Sequence, residues 1–399
     1  MIDIKVEKLS SEDLKDKSLE ELKFLLKKNQ SQKTFFENLQ MAVKIFMNST
    51  YGAIANAWFG GHKTEIAEAI TLEGQEATKY GVKIINHYFH NIWHKDKKLH
   101  QKLKLKNIQK IDESKDIGYY GDTDSVFTSF DEAFRSCEHP YGDDFLNFIL
   151  DLVNYRLKDY FIKCFDKFRE KNNLEDNFLA FDLEKIGKRG IHVAKKKYII
   201  DVVWQDGMEF DSMTKIYPKG LEIVQSSTPI FARKVLNELS KYLLSDNPTE
   251  EILVQRLNQY KKEFKVESIE NISFGRKANN YNKYVLNDST QLELAKGIPI
   301  HIRAAAIHNH LILNSKHRGR YDLIHSGDFI KYYHVQDNKN KEMYIFGYIP
   351  NSYPIEIAPP VNYDLQFEKA IIDPLNRLVE VFKDINVINP ELNRLKSLF

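Results

Sequence analysis

Hydrophobic residues along this chain recur with the periods of both helices and strands. A spacing of three to four residues predicts helices over 10–28, 32–58, 62–93, 141–172, 229–244, 249–264, 299–313 and 363–382. Alternation, or enrichment in β-branched and aromatic residues, predicts strands over 117–120, 126–130, 178–186, 192–204 and within 332–349. The pattern therefore indicates an α+β fold with antiparallel sheets and a mainly helical C-terminal part beyond a boundary near residue 222.

The segment 119–127 reads Tyr-Tyr-Gly-Asp-Thr-Asp-Ser-Val-Phe and predicts two short strands joined by an acidic turn. Side chains two positions apart in an extended chain point the same way, so Asp122 and Asp124 are expected to project to one side. Mg²⁺ binds carboxylates together with water and phosphate, and two carboxylates on a stiff turn suit it. An ordinary solvated turn rich in aspartate has the same composition, so both interpretations stand at this point.

The helix predicted over 32–58 has two different faces at about 100° per residue. Its apolar residues fall together and are expected to be buried: Phe35, Leu39, Ala42 and Phe46. Lys44, Asn48 and Tyr51 fall on the opposite face, and Gly52 follows them. A site that handles a nucleoside triphosphate could use the lysine as a charge, the phenol as a flat wall against a base pair and the glycine for close approach. A solvated helix face is the alternative.

Three consecutive lysines, Lys195, Lys196 and Lys197, precede Tyr198 within the strand predicted over 192–204. Since consecutive strand residues face opposite sides, the first and third lysines would share one face. Charged groups in an otherwise apolar strand need partners, and the phosphates of a nucleic acid would serve. An edge strand that its lysines protect from aggregation would look the same.

Two further carboxylates, Asp182 and Glu184, fall on one face of the strand predicted over 178–186. If that strand lies beside the acidic turn, both could approach the same metal ions. Asp-x-Glu is also how many two-metal exonuclease sites begin, which leaves a nuclease as an alternative.

Basic segments elsewhere suggest contacts with a nucleic-acid backbone. Arg276 and Lys277 lie in a loop-like, aromatic-flanked segment, 274–281, and a second basic segment covers 317–320. The run 95–110 is basic and free of glycine, and we interpret it as a solvated loop that can contact phosphate. Just before it, three histidines have helical spacing that resembles a row of metal ligands: His87, His90 and His94. No fourth ligand stands at the expected spacing, so surface histidines are the simpler interpretation.

Composition limits the possible classes of protein. The 399 residues, 42% of them apolar, are enough for two or three cores. The 58 basic and 56 acidic residues nearly cancel, so any nucleic-acid surface must be local. Two cysteines, Cys137 and Cys164, are too few for a disulfide framework and suggest a reducing compartment. No run of about 18 apolar residues occurs and the N-terminus has no secretory signal, so no membrane partner is expected.

Several of these segments, in this order, resemble motifs of the family B DNA polymerases, in particular the replicative polymerases of T-even-like bacteriophages. Residues 44–52, Lys-Ile-Phe-Met-Asn-Ser-Thr-Tyr-Gly, resemble the second polymerase motif, and 120–125, Tyr-Gly-Asp-Thr-Asp-Ser, resemble the third. Residues 195–198 resemble the lysine-tyrosine motif, with Lys197 where arginine is usual. Residues 220–229 resemble the passage from palm to thumb in the phage branch.

The resemblance implies part of a polymerase right hand. Residues 1–56 would form fingers helices, 57–222 an antiparallel-sheet palm with flanking helices, and 223–399 a mainly helical thumb. Its end is similar to the tail that docks on a sliding clamp in this branch, through Leu395, Leu398 and Phe399. A viral protein acting in the host cytoplasm, or a protein of the bacterial cytoplasm or nucleoid, is implied.

The resemblance also implies roles for individual residues. Asp124 would be the catalytic metal ligand and Asp122 its acidic neighbour, with Glu184 as a further acid near two Mg²⁺ ions. Lys44 and Asn48 would face the incoming deoxynucleoside triphosphate, while Tyr51 and Gly52 would lie against the nascent base pair. The residues that would contact primer-template DNA are Lys195, Lys196, Lys197, Tyr198, Arg276 and Lys277.

One family motif is missing from the chain. Catalysis in this family needs a second aspartate, from a motif of the type Asp-x-x-Ser-Leu-Tyr-Pro-Ser, and Ser352-Tyr353-Pro354 resembles it only with Ile349 in the aspartate position. There is also no room before residue 30 for an exonuclease domain. We therefore expect the C-terminal half of a split DNA-directed DNA polymerase whose N-terminal polymerase/exonuclease chain supplies the missing metal ligand. A truncated product and a catalytically silent DNA-binding scaffold subunit are alternatives.

Overall fold

The computed structural model describes residues 14–15, 17–173, 175–176, 179–336 and 343–382. Its helices are α1 (Leu19–Ala55), α2 (Thr64–His87), α3 (Lys97–Leu103), α4 (Asp131–Arg135), α5 (Phe145–Leu152), α6 (Lys158–Lys171), α7 (Ile230–Leu243), α8 (Glu250–Val266), α9 (Ile269–Ile272), α10 (Tyr281–Tyr284), α11 (Ile300–Leu313), α12 (Tyr363–Phe367) and α13 (Asp373–Val379). Short π-helical turns at Tyr88–Ile92, Val153–Leu157 and Glu368–Ile372 continue three of them.

The strands are β1 (Gly118–Asp122), β2 (Ser125–Thr128), β3 (Lys185–Ala194), β4 (Lys197–Gln205), β5 (Met208–Glu209), β6 (Lys215–Lys219), β7 (Phe274–Lys277), β8 (Val285–Asn287), β9 (Glu293–Leu294), β10 (Phe329–His334) and β11 (Ile345–Tyr348). Every pairing between them is antiparallel within the described residues. The predicted α+β class with antiparallel sheets is confirmed. The assignment of fingers, palm and thumb to residue ranges stays a prediction.

The described residues form two compact units. The first lies within Met1–Pro140 and Asp159–Ala180, and the second within Tyr141–Lys158 and Phe181–Phe399. Neither unit ends near residue 222, and the main core of the second unit joins Ile191 and Ile199 of the sheet to helices beyond that point.

Helix α1 is continuous where the sequence predicted two helices, so the break expected near residues 28–32 is wrong. A capping box starts it: the Ser18 hydroxyl accepts from the Glu21 backbone N–H at 3.3 Å, and the Glu21 carboxylate accepts from the Ser18 N–H at 2.8 Å. No glycine or proline follows until Gly52, so nothing in between interrupts the helix.

The apolar side of α1 is not buried, which contradicts the expectation for Phe35, Leu39, Ala42 and Phe46. No residue of α1 is buried in the part of the chain that is described, and Phe46 is 73% exposed. A sequence pattern indicates which face is apolar, but whether that face is covered depends on what packs against it.

The core of the first unit is aromatic. Tyr88, Phe89 and Trp93 follow the end of α2 and are fully buried, as is Phe165 of α6. The Tyr88 ring lies 5.0 Å from the Tyr160 ring between centroids, a distance typical of favourable aromatic pairs. This cluster fixes the C-terminal end of α2, the helix on which the β1–β2 hairpin rests.

The second unit contains two larger sheets. In one, β4 lies between β3 and β6, and in the other, β10 lies between β11 and β7. Helices α7, α8, α11, α12 and α13 contribute to its cores, close to the ranges that periodicity predicted. The hairpin β10–β11 confirms the strands predicted within 332–349.

Two strand predictions in this unit are wrong. The strand expected over 178–186 does not form: residues 179–184 have no regular structure and β3 begins at Lys185. The strand expected over 192–204 is two strands, because the chain turns back at Lys195 and Lys196. The basic segment at Arg276 and Lys277 lies in β7 rather than in a loop, since it pairs with Phe329 and Ile330 of β10.

Candidate active site

The acidic turn is a two-residue hairpin loop. Asp122 at the end of β1 pairs with Ser125 at the start of β2, which leaves Thr123 and Asp124 in the turn. The Asp124 N–H donates to the Asp122 carbonyl at 2.7 Å, and the Ser125 hydroxyl donates to the same carbonyl at 3.0 Å. Thr123 has a φ of 60°, so the chain is not extended between Asp122 and Asp124. The alternation of an extended strand, from which the two side chains were expected to project to one side, therefore does not apply here.

Helix α2 holds both ends of β1. The side-chain oxygen of Asn86 accepts from the Gly118 N–H at 2.8 Å, and its amide donates to the Gly118 carbonyl at 3.1 Å. Two helical turns earlier, the Thr78 hydroxyl donates to the Thr123 carbonyl at 2.7 Å. Sequence reasoning missed both residues, because a threonine and an asparagine in a polar helix position give no signal of a distant partner.

The two aspartates differ in environment. Asp122 is only 9% exposed, and one of its carboxylate oxygens accepts from the Thr123 hydroxyl at 3.2 Å. Asp124 is exposed, and its carboxylate forms no hydrogen bond or ion pair with another described residue. Buried and hydrogen-bonded, the first carboxylate is fixed in place, whereas the second is open to a ligand.

Two carboxylates on one turn fit part of the ligand set of a Mg²⁺ site. The described residues contain no group of three or more His, Cys, Asp or Glu side chains that could hold a metal ion. The histidine row does not form one either, since His90 hydrogen-bonds to the Lys115 carbonyl at 2.9 Å. A two-metal site on this turn therefore requires carboxylates from elsewhere.

The proposed nucleotide-facing residues lie on the continuous part of α1. Lys44, Asn48 and Tyr51 are all exposed, and helical spacing puts them on one face. A Cβ on Gly52 would meet no atom within 4 Å, so nothing in the described chain demands a glycine there. In a helix interior, glycine costs about 1 kcal/mol relative to alanine.

The lysine turn connects β3 to β4. Lys195 and Lys196 form its two corners, Lys196 has a φ of 61°, and Lys197 starts β4. Tyr198 is buried, and its ring stacks on the His192 ring at 5.3 Å between centroids. The expectation that Lys195 and Lys197 share one strand face is therefore wrong, because Lys195 lies in the turn and Lys197 begins β4.

The loop after β6 supports this turn. Gly220 has a φ of 64°, and a Cβ there would collide with the Lys196 carbonyl oxygen. Only glycine allows the two backbones to approach so closely.

The other residues that the sequence suggested for metal, DNA or clamp binding lie outside the acidic turn and the lysine turn. The Glu184 carboxylate pairs with Lys185, and Asp182 lies 3.9 Å from Lys158. Arg276 and Lys277 are exposed on β7. Burial of His301 lowers the pKa of its imidazole, and the positive charge of Arg276 lowers it further. The clamp-tail residues Leu395, Leu398 and Phe399 lie outside the described residues.

Comparison with known proteins decides the family. Residues 17–146 and 153–382 match the profile of DNA polymerase family B. The chain belongs to this family. The residues that match the family B profile include all three motif segments: 44–52, 120–125 and 195–198.

Two curated relatives are DNA-directed DNA polymerases of bacteriophages. The polymerase of Escherichia phage RB69 is 27% identical over 260 residues, which cover 61% of this chain and 25% of the relative. The polymerase of Enterobacteria phage T4 is 24% identical over 275 residues, 66% of this chain and 28% of the relative. This family B chain thus spans about a quarter of the length of the relatives that it matches. None of its described helices is both long and apolar enough to cross a bilayer.

Proposed function

We propose that this chain forms the second fingers helix, most of the palm and the thumb of a DNA-directed DNA polymerase. The observation that carries the proposal is the hairpin turn clamped to α2, with Asp122 fixed and Asp124 open, in a chain of family B. The reaction is the addition of deoxynucleoside monophosphates to a primer 3′-hydroxyl on template DNA. Since both relatives come from phages, we place this reaction in viral replication in the host cytoplasm.

The chain's own residues divide the work by their chemistry. Asp124, with Asp122 beside it, would hold Mg²⁺, which when bound neutralises phosphate charge and makes the primer hydroxyl more acidic. Lys44 and Asn48 would bind the triphosphate, and Tyr51 would stack on the nascent base pair. Primer-template DNA would be held by the lysine turn and by exposed cations of β7 such as Arg276 and Lys277. Tyr198 is buried, so its role would be to support the lysine turn rather than to contact DNA.

We further propose that an N-terminal polymerase/exonuclease polypeptide completes the site. The aspartate motif is missing from the sequence, and the described residues contain no third carboxylate grouped with the acidic turn. Helix α1 supports the same proposal. Within the described part of the chain, this 37-residue helix has no buried side chain, which leaves large apolar residues in water. The missing polypeptide would cover this helix and supply the absent metal ligand.

Primer extension tests the proposal. The chain would be combined with a labelled primer-template, deoxynucleoside triphosphates and Mg²⁺, first alone and then with the product of the neighbouring reading frame that carries the missing aspartate motif. We expect synthesis only by the pair. In the pair, Asp124→Asn should lower the rate of incorporation by orders of magnitude and leave DNA affinity nearly unchanged, because the carboxylate acts on the reacting phosphate.

A catalytically silent DNA-binding scaffold is the second candidate, favoured by the incomplete carboxylate set in the described residues. DNA binding without synthesis in either mixture would support it and refute the polymerase. Degradation of DNA by the chain alone, abolished by Asp182→Asn, would instead indicate the nuclease alternative. Full incorporation by the Asp124→Asn pair would show that Asp124 has no catalytic role.

A further inference from the structure

A dense basic surface in the first unit covers the run 95–110 and is separate in sequence from the polymerase motifs. Between residues 94 and 110 the exposed lysines are Lys95, Lys97, Lys98, Lys102, Lys104, Lys106 and Lys110. The one acidic residue in this segment, Asp96, is buried; its carboxylate accepts from the Leu99 N–H at 3.2 Å and from the Tyr88 hydroxyl at 3.1 Å. The Asp96 carboxylate therefore lies inside the fold, and the exposed charged groups of this segment are all basic.

This segment is an ordered element rather than the solvated loop that the sequence suggested. Leu99, Leu103 and Leu105 are all buried, and His100 hydrogen-bonds to the Trp93 carbonyl at 2.7 Å. The apolar anchors fix the helix α3, so the cations on its other face are held at defined positions.

Several of these cations meet at an open cleft of about 250 Å³. The cleft is lined by Lys97, His100, Gln101, Lys104, Leu105 and Lys106. The first four have the spacing i, i+3, i+4 and i+7, which puts them on one face of α3 and its C-terminal turn. Lys97, Lys104 and Lys106 form no ion pair with any described residue.

Lys104 occupies a position that glycine usually takes. Its φ is 53°, and the helix ends with the Lys104 N–H donating to the Gln101 carbonyl and the Leu105 N–H donating to the His100 carbonyl. Such a left-handed C-terminal turn favours glycine, because a Cβ is strained there. A lysine at this position slightly destabilises the left-handed backbone conformation, and its side chain adds a third lysine to the cleft.

The surroundings do not neutralise the cleft. Two acidic residues lie nearby: Glu138, across from Lys106, accepts from the Asn107 amide at 2.7 Å and keeps its charge, whereas Glu113 pairs with Lys110 at 2.7 Å. One unpaired carboxylate against the exposed lysines of this segment leaves positive charge in excess. Burial lowers the pKa of His94, and the positive charges of Lys95, Lys110 and His100 lower it further. The local potential is therefore positive.

We propose that this α3 cleft binds the phosphodiester backbone of a nucleic acid, as a contact surface separate in sequence from the polymerase motifs. Lys97 and Lys104 are seven residues apart, roughly 10 Å along a helix axis. Two lysines this far apart can contact different phosphates of one strand, which carries one negative charge per about 3.4 Å of duplex axis. Lysines without a neighbouring array of exposed aromatic rings bind phosphate rather than bases, so the contact would be independent of sequence.

The test compares two triple variants of the full chain by fluorescence anisotropy with a short DNA duplex over a series of salt concentrations. The first carries Lys97→Gln, Lys104→Gly and Lys106→Gln; glycine at 104 suits the left-handed turn, so a thermal midpoint at least as high as that of Lys97→Gln with Lys106→Gln is expected. The matched control carries Lys33→Gln, Lys79→Gln and Lys115→Gln, which removes the same charge from lysines already paired with Glu37, Glu76 and Glu132.

We expect the cleft variant to lose at least about tenfold in duplex affinity and about two to three units of the slope of log K against log salt, while the control loses less than one unit. Equal losses in both variants, or no loss in the cleft variant, would overturn the proposal. Titrations with inorganic phosphate and with polyglutamate test whether the cleft binds another kind of anion. If the cleft variant loses binding to either of these but binds the duplex as the wild type does, the proposal is also overturned. These measurements need no nucleotide incorporation, so they stand whether or not the polymerase proposal does.

Discussion

The Thr78 hydroxyl donates a hydrogen bond to the Thr123 carbonyl at 2.7 Å, and so joins α2 to the turn that carries Asp124. The same side chain lies against Gly121, where a Cβ would stand 3.0 Å from the Thr78 methyl. The hydroxyl joins the turn to α2, where it also lies 2.9 Å from the Gly74 carbonyl, and the methyl fills the space beside the strand. Thr78 is thus a positioning residue for the acidic turn, and its two roles can be separated by substitution.

Thr78→Val keeps the methyl contact and removes the hydroxyl. In the completed enzyme we expect the rate of incorporation to fall roughly threefold to tenfold, because a hydrogen bond of about 1 kcal/mol no longer holds the turn. The KM for the nucleotide should be unchanged, since the Thr78 hydroxyl bonds only backbone carbonyls and the residue is not among those proposed to bind the nucleotide. Single-turnover primer extension measures both.

Thr71→Val is the matched control. Thr71 lies on the same helix, and its hydroxyl donates only to carbonyls of that helix, Glu68 at 2.8 Å and Ala67 at 3.4 Å. Its loss should not alter the rate. Equal slowing by both variants would assign the effect to the stability of α2 and not to the turn.

Gly52→Ala should separate stability from function in α1. Because a Cβ meets nothing within 4 Å, alanine should raise the free energy of unfolding by up to about 1 kcal/mol. If the base pair approaches the backbone here, nucleotide insertion should fall at the same time. Circular dichroism with denaturant and primer extension measure the two effects.

Gly74 in α2 offers a control for this substitution, since a Cβ there also meets nothing within 4 Å. Gly74→Ala should stabilise to a similar degree and leave insertion unchanged. Insertion by the Gly52→Ala enzyme at the wild-type rate would remove Gly52 from the nucleotide site.

Gly220→Ala should disturb the lysine turn. The residue has a φ of 64° and faces the Lys196 carbonyl, so we expect a loss of about 2 kcal/mol or more in the free energy of unfolding and weaker primer-template binding. Gly207→Ala is the control: its φ of 85° gives a similar backbone penalty, but a Cβ there meets nothing within 4 Å. If both variants destabilise equally and bind DNA equally, the contact between residue 220 and the turn has no role in binding.

The pH dependence of stability should include a contribution from His334. Burial lowers its pKa below the ordinary value of 6.5, and nearby Lys369 adds to this, while the bond to Gln366 and the charge of Glu368 oppose it. Below that ordinary value the unfolded chain binds the proton and the folded chain does not, so stability is lost as the pH falls from about 6.5 through the folded pKa.

His334→Asn tests this contribution, because asparagine keeps a donor near the Nδ1 position that bonds Gln366 at 2.8 Å. Its free energy of unfolding, measured with urea between about pH 8 and pH 5.5, should change less with pH than that of the wild type. Exposed His325 is the control residue for the same substitution. Identical slopes in wild type and His334→Asn would contradict the assignment.

Periodicity predicted the helices and hairpins that depend on local pattern. The strands on either side of Asp122 and Asp124 and the helices near 230–243 and 300–313 form within a few residues of their predicted bounds. In each case the apolar spacing and the turn or capping residues agree, so local and tertiary preferences favour the same structure.

The wrong predictions arose where a local signal was weak or absent. Lys195 and Lys196 are not typical turn residues, and Lys196 adopts a left-handed conformation that its sequence does not indicate. Residues 179–184 alternate as a strand would, but no strand pairs with them among the described residues. The capping box at Ser18 was the signal that could have shown where α1 begins.

The candidate site could be predicted only in part. Asp122 and Asp124 are two positions apart in the sequence, so their turn could be recognised. Thr78 and Asn86 act on it from 45 and 32 residues away, and such contacts depend on the fold rather than on a local pattern. A metal ligand supplied by a second polypeptide, as proposed above, would leave no trace in this sequence.

If a second polypeptide covers α1 as proposed, the bare surface of this helix ties the lifetime of the chain to that of its partner. A helix held chiefly by its own backbone hydrogen bonds opens far more often than one packed in a core, and each opening exposes peptide bonds to proteases. A cell that makes the chain in excess should therefore degrade the surplus from this end. The amount of polymerase would then be matched to the scarcer half without any dedicated regulator.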